Sequence, residues 1–252
     1  YVSFDMWETY RIITKHVFPN AVCITDHFHV IQELNRRVDR VRIRVQNRFR
    51  KTINTLKPKK NNKTITTEEL IELEEASRYY YVLKKFNWLL ASTNKKILDV
   101  NVERRFNHRL NRYLNYSEIL AYMLAIDDEL EEAFYLRNDV TYFYDHCTYD
   151  TAKKQLEKII IDFRSSTVAE MSPFANTLTN WKKEIINSFI IVDDKVNRKM
   201  NTAIVENRNK SIKLLKHASN GYLNWERFRN RILYTLNEDT TFYYTSIRKD
   251  GK

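Results

Sequence analysis

Two glycines in 252 residues constrain this chain more than any motif in it. Tight turns with left-handed backbone draw on glycine, and three prolines add little further turn chemistry. A sheet-rich fold with many hairpins is hard to build on that allowance, so long helices are the natural alternative. With 13% aromatic and 43% hydrophobic residues the chain has ample material for a packed core. Its net charge of +11 and pI near 9.5 point toward a polyanionic partner.

At the amino-terminal end, two short β-prone runs are each followed at once by an aspartate. Tyr1–Phe4 leads into Asp5, and Ala21–Thr25 leads into Asp26. Between them lies a helical pattern from about Met6 to Phe18, with Trp7, Tyr10, Ile13 and Val17 expected on the buried face. Pro19-Asn20 ends it, and another helix is expected from about His27. This order implies two parallel strands with both aspartates at their carboxyl ends, where open α/β sheets place their chemistry. Each aspartate is equally suited to cap the helix after it. His29 is open in the same way: a site residue, or a histidine hydrogen-bonded beneath the sheet.

The other end carries a helix pair over Asn201–Tyr234. Val205, Ile212 and Leu215 share an apolar face, flanked by Glu206, Asn209, Lys210, Lys213 and His217. Gly221 is expected to stop the first helix. Asn224 is expected to cap the second, with Trp225, Phe228 and Ile232 inward and Arg227 and Arg231 outward. The polar stripe reads as a solvated face with a Glu206–Lys210 bridge, or as contacts along a phosphate backbone.

Between the ends, a basic helix from about Val30 to Phe49 buries Val38, Val41, Val45 and Phe49, and its arginines serve either solvent or DNA phosphates. Lys57–Lys63 reads as a flexible basic loop, and Thr66 with Glu69 as a capping box. From about Glu68 to Met200 the pattern is helix after helix. Phe106, Leu110, Tyr113 and Leu114 keep helical spacing, and Ser117–Asn138 reads as one long helix whose acidic cluster at Asp127–Glu132 faces solvent. Asp150 is placed to cap a helix through Phe163, and Ser172-Pro173 to start another. Neither a glycine-rich phosphate loop nor a Ser-His-Asp motif is present. Cys23 and Cys147 lack zinc-ligand spacing and read as buried thiols of a reducing cytoplasm. No apolar run approaches the ~20 residues needed to cross a bilayer.

Two ordered blocks carry a resemblance. Asp5-Met6-Trp7 with Tyr10, then Phe18-Pro19-Asn20-Ala21, then Asp26-x-Phe28-His29-Val30 form the first. Glu206, Asn209, Ile212-Lys213, Lys216, the glycine turn and Asn224-x-x-x-Phe228-Arg229-x-Arg231 form the second. Together they resemble the catalytic domain of bacterial insertion-sequence DDE transposases of the ISL3 family. The chain departs from the family at Asn201-Thr202-Ala203, where Asn-Gly is usual, and at Lys216-His217, where Lys-Arg is common.

The resemblance implies a predominantly α fold with a small α/β part: a partial ribonuclease H-like core interrupted by a large all-helical insertion. Residues 1–30 and 200–235 would belong to the core, 31–199 to the insertion and 236–252 to a tail. Asp5 and Glu206 would be catalytic carboxylates and ligands of Mg²⁺ or Mn²⁺, with Asp26 and His29 in support. Asn209, Lys210, Lys213, Lys216, Arg227 and Arg231 would contact DNA. The implied activity is cleavage and strand transfer on double-stranded DNA, at element terminal inverted repeats and target sites. The implied protein is a homodimer in the bacterial cytoplasm, associated with the nucleoid, with no membrane partner. A further aspartate, a zinc-binding module and a helix-turn-helix would precede Tyr1, so the chain reads as a fragment, inactive alone. The alternatives are a non-catalytic basic helical DNA-binding or interaction module and a ribonuclease H-like nuclease.

Overall fold

Strand β1 (Val2–Phe4) and strand β2 (Cys23–Thr25) pair in parallel, with Val2 opposite Cys23 and Phe4 opposite Thr25. Helix α1 (Glu8–Val17) crosses between them, as parallel pairing requires. The computed structural model describes the backbone of residues 1–193, 198–199 and 203–236, and the side-chain surroundings of 1–191 and 207–236. The described residues fall into two units, within Tyr1–Met200 and Asn201–Lys252.

The face of α1 that packs is not the apolar one. Trp7, Tyr10, Ile13 and Val17 are all exposed, and Thr14 is buried instead. Arg11 sets this orientation: its guanidinium lies 4.5 Å from the centre of the Trp181 ring and donates to the Asn180 carbonyl at 2.9 Å. Docking through Arg11 and Thr14 turns the apolar stripe outward.

Helix α2 (His27–Asn61) is 35 residues long and buries Val30, Leu34, Val38, Val41 and Val45. It continues through the stretch expected to be a loop. Pro58 falls in its last turns, where the missing N–H costs a single backbone bond, and the chain reverses only beyond Asn61, with Lys63 at φ 55°. Helix α3 (Thr67–Lys85) then packs back along α2. Its capping box is as expected: Thr66 Oγ1 accepts from the Glu69 N–H at 3.2 Å, and Glu69 Oε2 accepts from the Thr66 N–H at 3.1 Å.

Among the arginines of α2, Arg36, Arg40, Arg48 and Arg50 are exposed, while Arg37, Arg42 and Arg44 are more enclosed and tied to acids. Arg42 pairs with Asp39 and donates to the Leu83 carbonyl, and Arg48 donates to Asp127 at 2.7 Å. Arg44 forks onto Glu170 with bonds of 2.8 and 2.9 Å and also pairs with Glu129. This fork holds the Glu170 carboxyl below its ordinary value of 4.5. A depressed carboxylate stabilises the fold fully above its unfolded pKa and loses that contribution as pH falls through the folded value. The stability difference between the native protein and Glu170→Gln, measured by urea unfolding, is therefore expected to shrink as pH drops below about 4.5.

A 3₁₀ turn (Asn87–Ala91) follows α3, and then an antiparallel hairpin where a helix was expected: β3 (Arg105–Asn107) and β4 (Arg112–Leu114). Asparagine supplies the turn chemistry. Asn107 Oδ1 accepts from the N–H groups of Arg109 and Leu110, and Asn111 takes φ 51°. The expected single helix over 117–138 is two, α4 (Tyr116–Leu124) and α5 (Asp128–His146). Asp127 divides them, because its Oδ1 accepts from the Leu130 N–H at 3.1 Å as the cap of α5. With Asp127 and Glu129 tied to Arg48 and Arg44, part of the acidic cluster is an internal tie, not a solvated face.

Helix α6 (Tyr149–Ser165) starts after Thr148, with Asp150 inside its first turn and not at the cap. Helix α7 (Phe174–Asn180) begins directly after Ser172-Pro173 as expected, and α8 (Lys182–Asn187) follows. Strands β5 (Ile191–Asp193) and β6 (Arg198–Lys199) pair antiparallel. Helix α8 lies against β2: Asn187 Nδ2 donates to the Cys23 carbonyl at 2.9 Å, and Phe4 meets Trp181 edge-on. The fold of this unit is thus mainly helical, with one small parallel α/β corner.

In the second unit, α9 (Ala203–Ala218) ends at Asn220 and Gly221, both with positive φ, and the Gly221 N–H donates to the Lys216 carbonyl at 2.9 Å. Helix α10 (Trp225–Leu236) is capped by Asn224, whose Oδ1 accepts from the Arg227 N–H at 3.0 Å. Both features match expectation. Ile212, Leu215, Phe228 and Ile232 are half-buried, but Trp225 is exposed and touches Phe228 only edge-on. Tyr222 takes the inner place by stacking on Phe228. The side chains of Val205 and Glu206 lie outside the described residues.

Candidate active site

Asp5 and Asp26 are the first residues beyond the matched positions Phe4 and Thr25, so the parallel register sets them at equivalent strand ends. Their surroundings differ. Asp26 is buried, its Oδ1 accepts from the Phe28 N–H at 3.0 Å, and His27 Nδ1 lies 3.3 Å away. It is the cap of α2. The Asp5 side chain is half-exposed and caps nothing, because α1 begins at Glu8 with Trp7 in the cap position. Asp5 Oδ1 instead lies 2.7 Å from His29 Nε2.

His29 belongs to the first turn of α2, where its own N–H donates to the Asp26 carbonyl at 3.2 Å. Asp26 therefore fixes the start of α2, and the start of α2 presents His29 to Asp5. A carboxylate beside a helix amino terminus also gains from the helix dipole. The structure thus brings Asp5, Asp26 and His29 into one corner. The direct Asp5–His29 bond carries no sequence signature beyond the proximity that the strand–Asp–helix order implies.

Asp5 is a hard oxygen donor at an accessible strand end, chemistry that suits Mg²⁺ or Mn²⁺. Among the described residues no three His, Cys, Asp or Glu side chains converge on one point. Glu206 lies in the first turns of α9, and its side chain is outside the described residues.

Asn209, Lys210, Lys213 and Lys216 are exposed along α9, and Arg227 and Arg231 along α10. Lys213, Lys216 and His217 line an open hollow of about 390 Å³ at the glycine turn. Among the described residues none of these cations is within 4 Å of a carboxylate, in contrast with Arg42, Arg44 and Arg48.

A family model described as transposase, the DDE type named for ISL3, matches residues 1–232. The chain belongs to the ISL3 family of insertion-sequence transposases. The match runs through β1, the whole helical region and most of α10. The chain is also similar to the transposase for insertion sequence element IS1001 of Bordetella parapertussis, 24% identical over 228 residues. That alignment covers 90% of this chain and 45% of the relative, so the chain spans a little under half the relative's length. No solved structure matches it. No helix among the described residues is long and apolar enough to cross a membrane.

Proposed function

We propose that the chain supplies part of the catalytic domain of a DNA transposase that cuts and joins insertion-sequence ends by a DDE mechanism. The observation that carries this reading is the Asp5–His29 pair at the end of β1, in a chain of the ISL3 transposase family. Residues 1–30 and 200–235 are read as portions of a ribonuclease H-like core, and 31–199 as its helical insertion. Asp5 and Glu206 would hold Mg²⁺ or Mn²⁺, with a further carboxylate supplied from outside these 252 residues. The metal would activate the attacking oxygen and stabilise the leaving one at phosphorus.

The chain's own residues have separate tasks. His29 Nε2 holds one oxygen of the half-exposed Asp5 carboxylate, and the second would serve a ligand. Asp26 supports His29 by starting α2. The exposed cations of α9 and α10 would bind the phosphate backbone of the terminal repeats and target, which makes binding strongly salt-dependent. The working protein is read as a homodimer on double-stranded DNA, acting on the bacterial nucleoid.

The test is a strand-transfer assay with the complete transposase on duplexes carrying the element ends. Cleavage followed by joining, dependent on Mg²⁺ or Mn²⁺ and lost in Glu206→Ala, is the expected result. Cleavage without joining would assign a nuclease instead, and undiminished activity of Asp5→Ala and Glu206→Ala would assign a non-catalytic binding module. The 252-residue chain alone is expected to bind DNA and not to cut it.

A further inference from the structure

Several cations of the first unit gather in one region of its surface. Three adjoining hollows, of about 530, 440 and 600 Å³, open around Tyr81 and Arg109, which line all three. Their walls are the carboxyl-terminal part of α2, the outer face of α3 and the β3–β4 hairpin. Eight lysines and arginines line them against two glutamates, Glu74 and Glu103. Among the described residues none of the eight is within 4 Å of a carboxylate, whereas Arg42, Arg44 and Arg48 on the same α2 are each tied to an acid. In the carboxyl-terminal half of α2 Lys59 is tied to Glu69, while Arg50, Lys57 and Lys60 have no carboxylate within 4 Å among the described residues.

Aromatic rings orient three of these cations. Lys85 Nζ lies 5.5 Å from the Tyr81 ring centre, the Arg109 guanidinium 5.8 Å from the same ring, and Lys84 Nζ 5.6 Å from Tyr80. Such contacts orient a cation without neutralising it. Lys57, Lys60, Lys84, Lys85 and Arg109 are all exposed. An unneutralised, oriented and broad cationic face fits an extended polyanion better than a single small anion.

We propose that this face, formed by the end of α2, by α3 and by the β3–β4 hairpin, is a second DNA-binding surface that grips the phosphate backbone of duplex DNA independently of α9 and α10. The choice of DNA as the polyanion rests on the transposase reading; the location rests on the eight cations that have no carboxylate within 4 Å among the described residues. The hairpin is what completes the face, because it brings Arg109 over Tyr81 from the far side of the 3₁₀ turn.

The experiment measures binding of the full 252-residue chain to a random-sequence 30-base-pair duplex across a salt series. Lys84→Glu/Lys85→Glu/Arg109→Glu is compared with Lys153→Glu/Lys154→Glu/Lys158→Glu, an equal charge change on α6 away from the face. A milder Lys84→Gln/Lys85→Gln/Arg109→Gln variant covers any loss of folding, followed by circular dichroism. The face variants are expected to weaken binding at least tenfold more than the control and to flatten the slope of log affinity against log salt by about 2–3, at ~0.9 per lost phosphate contact. Equal losses in the face and control variants would overturn this proposal and leave the transposase reading intact. A chain that binds no DNA at low salt would overturn both.

Discussion

Asp5→Asn in the complete transposase is expected to lower end cleavage by about 1,000-fold or more, while DNA affinity stays within about twofold. Asp5 has little structural work to do. It caps no helix, it is half-exposed, and its side chain meets the His29 ring. Asparagine keeps the shape and still accepts from His29, so the fold has little to lose. What goes is the negative charge, and carboxylate charge is what a divalent cation requires of a ligand. Single-turnover cleavage of a labelled terminal repeat, alongside gel-shift affinity, gives both readouts. Asp26→Ala provides the contrast: loss of a buried cap is expected to destabilise by about 1 kcal/mol and to act on activity through His29. Wild-type cleavage by Asp5→Asn would remove the carboxylate from the mechanism.

The second large effect is expected at Arg137. This side chain is 1% exposed in α5 and has no carboxylate partner among the described residues. Its guanidinium donates to Asn35 Oδ1 at 2.8 Å, Asn138 Oδ1 at 2.8 Å and the Ala91 carbonyl at 2.9 Å. It thereby ties α2, α5 and the end of the 3₁₀ turn at one point, and burial without a counter-charge pushes its pKa down. Arg137→Ala removes three bonds, leaves Asn35 and a backbone carbonyl without their donor, and opens a cavity. The expected loss is about 4 kcal/mol. In a unit of this size that is roughly a 10 °C fall in Tm, checked by calorimetry. A fall of less than about 2 °C would mean that the site collapses or that water replaces the guanidinium.

The sequence was most legible where one residue type has one physical job. Asn224, Thr66 with Glu69, and Gly221 sit where capping and chain reversal require them. The strand–Asp–helix repeat gave the parallel pair and the positions of Asp5 and Asp26, because a short strand followed at once by a helix leaves few alternatives. It did not separate cap from site residue, since that depends on whether α1 starts at Asp5 or at Glu8. Apolar periodicity failed at both margins. In α1 it marked a genuine stripe that faces outward, because Arg11 found a better partner in Trp181. At Phe106–Leu114 it matched a helix, although two asparagines were closing a hairpin in place of the missing glycines. The placement of Arg109 over Tyr81 was invisible for a different reason: such contacts are decided by residues distant in sequence.

Helix α2 also has a metric consequence. His29 stands in its first turn and Lys57 near its end, 28 residues apart, which at ~1.5 Å per residue is about 42 Å of unbroken rod. That length corresponds to roughly 12 base pairs of B-DNA at ~3.4 Å each. A duplex held at both ends of the rod would be measured by it, with the reacting phosphate at one mark and the grip at the other. Adding or removing one helical turn would move the marks by ~5.4 Å, between one and two base pairs. The helix would then act as a ruler, and the spacing between cut site and footprint on the DNA would be written in its residue count.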